Sequence, residues 1–108
     1  TATKNAYEGF RLQGNDNTLR ENTASGNAYE GFSLRGNDNA MRGNTASGNV
    51  GDGFSLFLSS DNTLTGNTAS GNGGNGHHGF SLSGSSGNGI TTKGIEITDI
   101  STKPVQII

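Results

Sequence analysis

The chain has 108 residues, 28% of them apolar and 15% charged, with 19 glycines, no cysteine and a formal net charge of −2. That length accommodates one domain, and the apolar fraction is too low for a conventional broad core. The missing cysteines exclude disulfides and thiolate metal sites. A weakly acidic chain without a basic run has no footprint for nucleic acid, and no stretch approaches the roughly 20 apolar residues that span a bilayer, so neither nucleic-acid binding nor membrane insertion is expected.

The sequence repeats. Gly-Phe recurs at Gly9, Gly31, Gly53 and Gly79, and Asn-Thr-Ala-Ser-Gly-Asn begins at Asn22, Asn44 and Asn67. The hexapeptide offsets are 22 and 23 residues, and those of Gly-Phe are 22, 22 and 26. A glycine- and asparagine-rich chain can also signal disorder, but here the few large apolar residues keep a fixed phase. Repetition at this period marks units that bury their apolar faces only against neighbouring units.

Residues 1–4 fill the place of Thr-Ala-Ser-Gly, so the sequence enters partway through a unit. In each unit Gly-Phe-x-Leu then sets two apolar residues two apart: Phe10 and Leu12, Phe32 and Leu34, Phe54 and Leu56, Phe80 and Leu82. Period two predicts a strand with these side chains inward. A polar turn follows, containing Asp16, Asp38 or Asp61, and then a short segment with Leu19, Met41 or Leu64 as its inward residue. The Asn-Thr-Ala-Ser segment contributes Ala24, Ala46 and Ala69. No helical spacing persists, and Gly and Asn recur where a helix would break.

Three short strands and three turns per unit predict an all-β, right-handed parallel β-helix, a solenoid of about four rungs of 22–23 residues. Rungs stacked at about 4.8 Å put Phe on Phe, Leu on Leu and Ala on Ala, filling a slender core with few apolar residues. Asn22, Asn44 and Asn67 precede the alanines by two and share their face, so their amides are expected to bond along the axis and satisfy buried turn backbone. Asparagine is also among the few residues that tolerate left-handed backbone at corners. Residues 1–89 are assigned to the repeats, and 90–108 to an irregular last rung or a capping or assembly tail, in which Pro104 interrupts pairing and Val105-Gln106-Ile107-Ile108 is conspicuously apolar.

The run Gly-Phe-x-Leu, Asn-x-Leu, Gly-Asn-Thr-Ala-Ser-Gly-Asn resembles the parallel β-helix repeats of the pectate-lyase-like superfamily, especially the NosD-like repeats of secreted and cell-surface proteins of bacteria and archaea. The resemblance implies the fold and an extracellular or cell-surface location. It does not select an activity, because relatives include polysaccharide lyases, hydrolases and epimerases beside repeat arrays without demonstrated catalysis.

One slot before Gly-Phe holds Glu8, Glu30, Asp52 and then His78. Stacking brings neighbouring carboxylates to about 5 Å, the spacing of a retaining glycosidase pair, although solvated surface acids are the expected reading. With Tyr7 and Tyr29 beside them, Glu8, Glu30 and Asp52 form the candidate ligand-binding patch. The Asp16, Asp38 and Asp61 column offers oxygen ligands, yet Asp and Asn are what turns favour on backbone grounds. His77 and His78 follow a glycine-rich insertion, where adjacent residues of an extended segment point to opposite faces and chelate poorly. Arg11, Arg20, Arg35 and Arg42 are scattered, and neither histidine has a Ser and Asp arrangement beside it.

No catalytic residue, metal site or cofactor is therefore expected. The reading is a non-catalytic extracellular structural module, a rigid scaffold or a self-stacking filament element, whose uncapped ends fit either excision from a longer β-helix or copies stacked end to end. The alternatives are a polysaccharide-binding module and, behind it, a fragment of a polysaccharide lyase or epimerase.

Overall fold

The structure is a computed structural model that describes residues 1–73, 77–83, 89–90, 96–97 and 105–107. The chain opens with β1 (Ala2–Thr3). A first rung of β2 (Phe10–Gln13), β3 (Thr18–Arg20) and β4 (Thr23–Ser25) follows. The second rung is β5 (Phe32–Arg35), β6 (Ala40–Arg42) and β7 (Thr45–Ser47), and the third is β8 (Phe54–Phe57), β9 (Thr63–Thr65) and β10 (Thr68–Ser70). Above them lie β11 (Phe80–Ser83), β12 (Gly89–Ile90), β13 (Glu96–Ile97) and β14 (Val105–Ile107).

These strands make three parallel sheets, ordered β1-β4-β7-β10-β13, β2-β5-β8-β11-β14 and β3-β6-β9-β12. Each winding returns to the same place one rung higher. Phe10, Phe32, Phe54 and Phe80 are register partners, as are Leu19, Met41 and Leu64, and Ala2, Ala24, Ala46 and Ala69. The sheets continue past residue 89, where the sequence reading began its irregular rung or tail: Ile90 pairs with Leu64, Ile97 with Ala69 and Val105 with Phe80. Pro104 and Ile108 lie outside the described residues.

Alternation turns Phe and Leu inward, and the rung spacing forces their rings to stack face on face. Centroids are 5.0 Å apart from Phe10 to Phe32 and 4.8 Å at each of the next two steps, with planes within 6° of parallel. Phe32, Leu34, Met41, Phe54, Leu56, Leu64, Phe80, Leu82 and the three alanines are buried, whereas Phe10, Leu12 and Leu19, on the lowest full rung, are only partly covered. The glycine before each phenylalanine has a steric cause. A Cβ on Gly31 would lie 2.7 Å from the Gly53 carbonyl oxygen and 2.8 Å from the Ala46 methyl, closer than packed atoms approach.

Buried asparagines close the corners. The Asn22, Asn44, Asn67 column runs as the repeat implies: the Asn22 backbone N–H donates to Asn44 Oδ1 at 3.0 Å, and that of Asn44 to Asn67 Oδ1 at 2.9 Å. Two further columns escaped the sequence reading, Asn5, Asn27, Asn49, Asn72 and Asn17, Asn39, Asn62. In all three, an upper amide oxygen takes the backbone N–H of the asparagine below. The amide nitrogen donates down to a backbone carbonyl, as Asn39 does to Gly14 and Asn67 to Met41, both at 2.9 Å. Corner backbone that would otherwise be buried and unpaired is thereby satisfied.

The expectation that asparagine itself takes left-handed backbone at the corners is corrected. The residue before it does: Lys4, Asp16, Glu21, Asp38 and Asp61 have φ of 52–56°, and Gly26, Gly43, Gly48, Gly66 and Gly71 have φ of 58–64°. That kink turns the following asparagine inward. Three aspartates of the acidic turn column thus hold a backbone conformation that Asp tolerates better than most residues. Glu21 fills the slot taken by Gly43 and Gly66 one and two rungs higher, so Glu21→Gly should relieve left-handed strain and raise stability by about 0.5 to 1 kcal/mol, the strain of roughly 1 to 2 kcal/mol being partly offset by glycine's extra chain entropy. A shift of the urea midpoint to lower concentration would contradict this.

Candidate functional site

The candidate patch lies on the bend leading from β1, β4 and β7 into β2, β5 and β8. Backbone bonds hold it rung upon rung: Ala28 N–H donates to the Asn5 carbonyl at 3.0 Å and Val50 N–H to that of Asn27 at 2.9 Å. Tyr7 and Tyr29 therefore stand one over the other, ring centroids 6.1 Å apart and planes 11° from parallel, both well exposed. The aromatic column stops at two rings because Gly51 occupies the corresponding place. A Cβ on Gly51 would sit 2.9 Å from the Tyr29 carbonyl carbon and the Glu30 nitrogen.

The slot before Gly-Phe is stacked in the backbone, with Gly9 N–H donating to Glu30 O, Gly31 N–H to Asp52 O and Gly53 N–H to His78 O at 2.9–3.0 Å. Its side chains do different things on each rung. Glu8 lies 3.7 Å from the Arg11 guanidinium, a loose pair whose arginine is largely exposed and contributes little. Asp52 is buried rather than a solvated surface acid, and its Oδ1 accepts the His78 backbone N–H at 2.6 Å.

The histidines correct a second expectation. They do not diverge to opposite faces, because Nδ1 of both His77 and His78 lies 3.6 Å from Asp52 Oδ1, with His78 buried and His77 half-exposed. The expectation treated residues 77–78 as a regular extended segment, whereas the backbone bond from His78 to Asp52 draws this loop down onto the third rung. At 3.6 Å neither imidazole makes a hydrogen bond. Asp52 acts as a clamp for the loop entering β11 and leaves the patch to Tyr7, Tyr29, Glu8 and Glu30. Among the described residues, no three His, Cys, Asp or Glu side chains are placed to hold a metal ion.

A family described as "Right handed beta helix region" matches residues 1–108, the whole chain. The chain belongs to the right-handed β-helix family. No curated protein and no solved structure gives a match.

The β-helix carries one more feature that the sequence reading missed. Two of the four arginines read as scattered are brought onto one sheet face, where Arg11 pairs in register with Ser33 and Gln13 with Arg35, while Arg20 and Arg42 pair with each other on another sheet. Together with Phe57, the residues Arg11, Gln13, Ser33 and Arg35 line a shallow depression of about 120 Å³. The Arg35 guanidinium lies 4.9 Å from the centre of the half-exposed Phe57 ring, a cation–π contact. The signal was available, since the alternation that names Phe and Leu as inward names residues 11, 13, 33, 35 and 57 as outward. This β-helix thus presents a stacked tyrosine pair with acidic neighbours on a bend, and a cationic, aromatic-edged hollow on the adjoining sheet.

Proposed function

We infer that the chain is a rigid, non-catalytic structural module of a secreted or cell-surface protein, whose rungs extend by adding further rungs in register. The observation that carries this reading is the unbroken phase of four columns, one aromatic and three of amides, through the three rungs from β2 to β10. Side chains that elsewhere supply chemistry are spent here on the rung below. Partial cover of Phe10, Leu12 and Leu19 on the lowest full rung supports addition of a further rung there, from a longer chain or from a second copy, because that rung would bury them as their partners are buried. The test is sedimentation and negative-stain imaging of the purified chain over rising concentration. Rods one coil wide are expected, and compact monomers throughout would dismiss self-stacking.

A second reading rests on the tyrosine pair. Two parallel exposed rings with Glu8 and Glu30 beside them fit an extended polysaccharide, which lays apolar sugar faces on aromatic rings and offers hydroxyls to carboxylates. On this reading Tyr29→Ala lowers retention on a polysaccharide affinity gel at least about tenfold, the equivalent of 1.4 kcal/mol. Equal retention of the variant and the parent chain would remove it.

A further inference from the structure

Tyr7 and Tyr29 are the chain's two tyrosines. The coil gives them three properties that together define a reactive pair. Their rings lie in register at 6.1 Å, both are open to solvent at 70% and 54% exposure, and their backbones are held one rung apart. That last constraint comes from the Ala28 to Asn5 backbone bond and from the Asn5 N–H and Nδ2 donating to Asn27 Oδ1 at 3.0 and 2.9 Å. No third ring competes, because Gly51 holds the next place.

We propose that this pair is an oxidative coupling site, at which a peroxide-driven haem peroxidase joins the two rings by a carbon–carbon bond and rivets the first rung to the second. Each phenol gives up one electron and its hydroxyl proton, becoming a phenoxyl radical. The two electrons and two protons reduce one hydrogen peroxide to two waters. The radicals then bond through the ring carbons beside their oxygens, and the hydrogens on those carbons move to the oxygens, restoring both phenols. The chain ends two hydrogens lighter.

Proximity decides the product. Exposed side chains change rotamer in picoseconds to nanoseconds, so stacked rings swing edge to edge many times before a second molecule arrives, and groups held this close react at effective concentrations far above those of dissolved protein. The rivet also falls where it does most, tying down the rung on which Phe10, Leu12 and Leu19 are least covered.

The test treats the full chain at micromolar concentration with a haem peroxidase and one equivalent of hydrogen peroxide. A monomeric product two hydrogens lighter and carrying dityrosine fluorescence is expected, from which trypsin releases residues 5–11 joined to residues 21–35. It should exceed linked dimers by about tenfold or more, on the scale of side chains held in proximity, and denaturant that dissolves the coil should abolish the excess. Tyr29→Phe keeps a ring in the stack and should eliminate the monomeric product. Linked dimers predominating in the native chain, equal yields with and without denaturant, or no coupling where free tyrosine couples would each overturn the proposal.

Discussion

Phe32→Ala is expected to cost about 3 to 5 kcal/mol of stability, the range for large-to-alanine changes in packed cores. The ring is 1% exposed and lies between Phe10 at 5.0 Å and Phe54 at 4.8 Å, so its removal leaves a cavity walled by two aromatic faces. Collapse into that cavity is blocked, because rung spacing is set by backbone hydrogen bonds and not by the rings. Phe10→Ala is the internal control. That ring is only partly buried and stacks on one side, so its loss should cost roughly half as much, by the scaling of transfer energy with buried apolar area. Urea unfolding of both variants checks the pair. A Phe32→Ala cost below about 0.5 kcal/mol, the scale of surface changes, would place that ring outside the core.

What the sequence disclosed and what it hid follow from the range of the forces involved. Phe32 and Leu34 were legible because period-two alternation is a property of the strand itself, and the 22-residue recurrence then dictates which residues stack. Asn44 was legible as an inward amide because it shares the phase of Ala46. Asn49 and Asn39 were not, although they are buried to the same degree, because Gly-Asn and Asp-Asn are also what ordinary surface turns contain. What distinguishes them is the left-handed residue before each, at Gly48 and Asp38. That pattern is visible as a Gly or Asp preceding asparagine in successive units, but it acquires meaning only once the corner's orphaned N–H is known to need an acceptor.

The candidate patch divides in the same way. Tyr7 and Tyr29 stack because they share a slot one repeat apart, which spacing alone implies. Asp52 shares its slot with Glu30 yet does something else, because the fourth unit carries inserted residues and its returning loop donates His78 N–H to the carboxylate. An insertion breaks the phase on which the whole reading depends, and what it brings together is set by a loop conformation that no periodicity encodes. Phe57 marks the opposite case: its outward position follows from alternation, but its partner Arg35 becomes evident only when neighbouring rungs are laid side by side.

Substitutions at Asn49 separate hydrogen bonding from packing. Asn49 is 2% exposed, its Oδ1 accepts the Asn27 backbone N–H at 3.0 Å and Asn27 Nδ2 at 2.8 Å, and its Nδ2 donates to Ala24 O at 3.1 Å and Asn72 Oδ1 at 2.7 Å. Asn49→Leu keeps the branched outline and the number of side-chain heavy atoms and should still cost about 3 kcal/mol, because the buried Asn27 N–H loses its acceptor while three further side-chain bonds also disappear. Asn49→Asp retains an oxygen for that N–H but sets a carboxyl against the Ala24 and Asn72 oxygens. Burial and facing oxygens disfavour the ionised form and raise this carboxyl's pKa in the folded chain above the value of about 3.9 for a free aspartate. The folded state then holds a proton that the unfolded chain has released, so stability relative to the parent chain falls as pH rises from about 4 toward the folded value. Measured by urea midpoint against the parent at each pH, Asn49→Asp should match or exceed Asn49→Leu near pH 4 and drop below it near pH 7. A difference from the parent that stays constant between those pH values would mean that the carboxyl has escaped to solvent and that the amide column does not hold the corner shut.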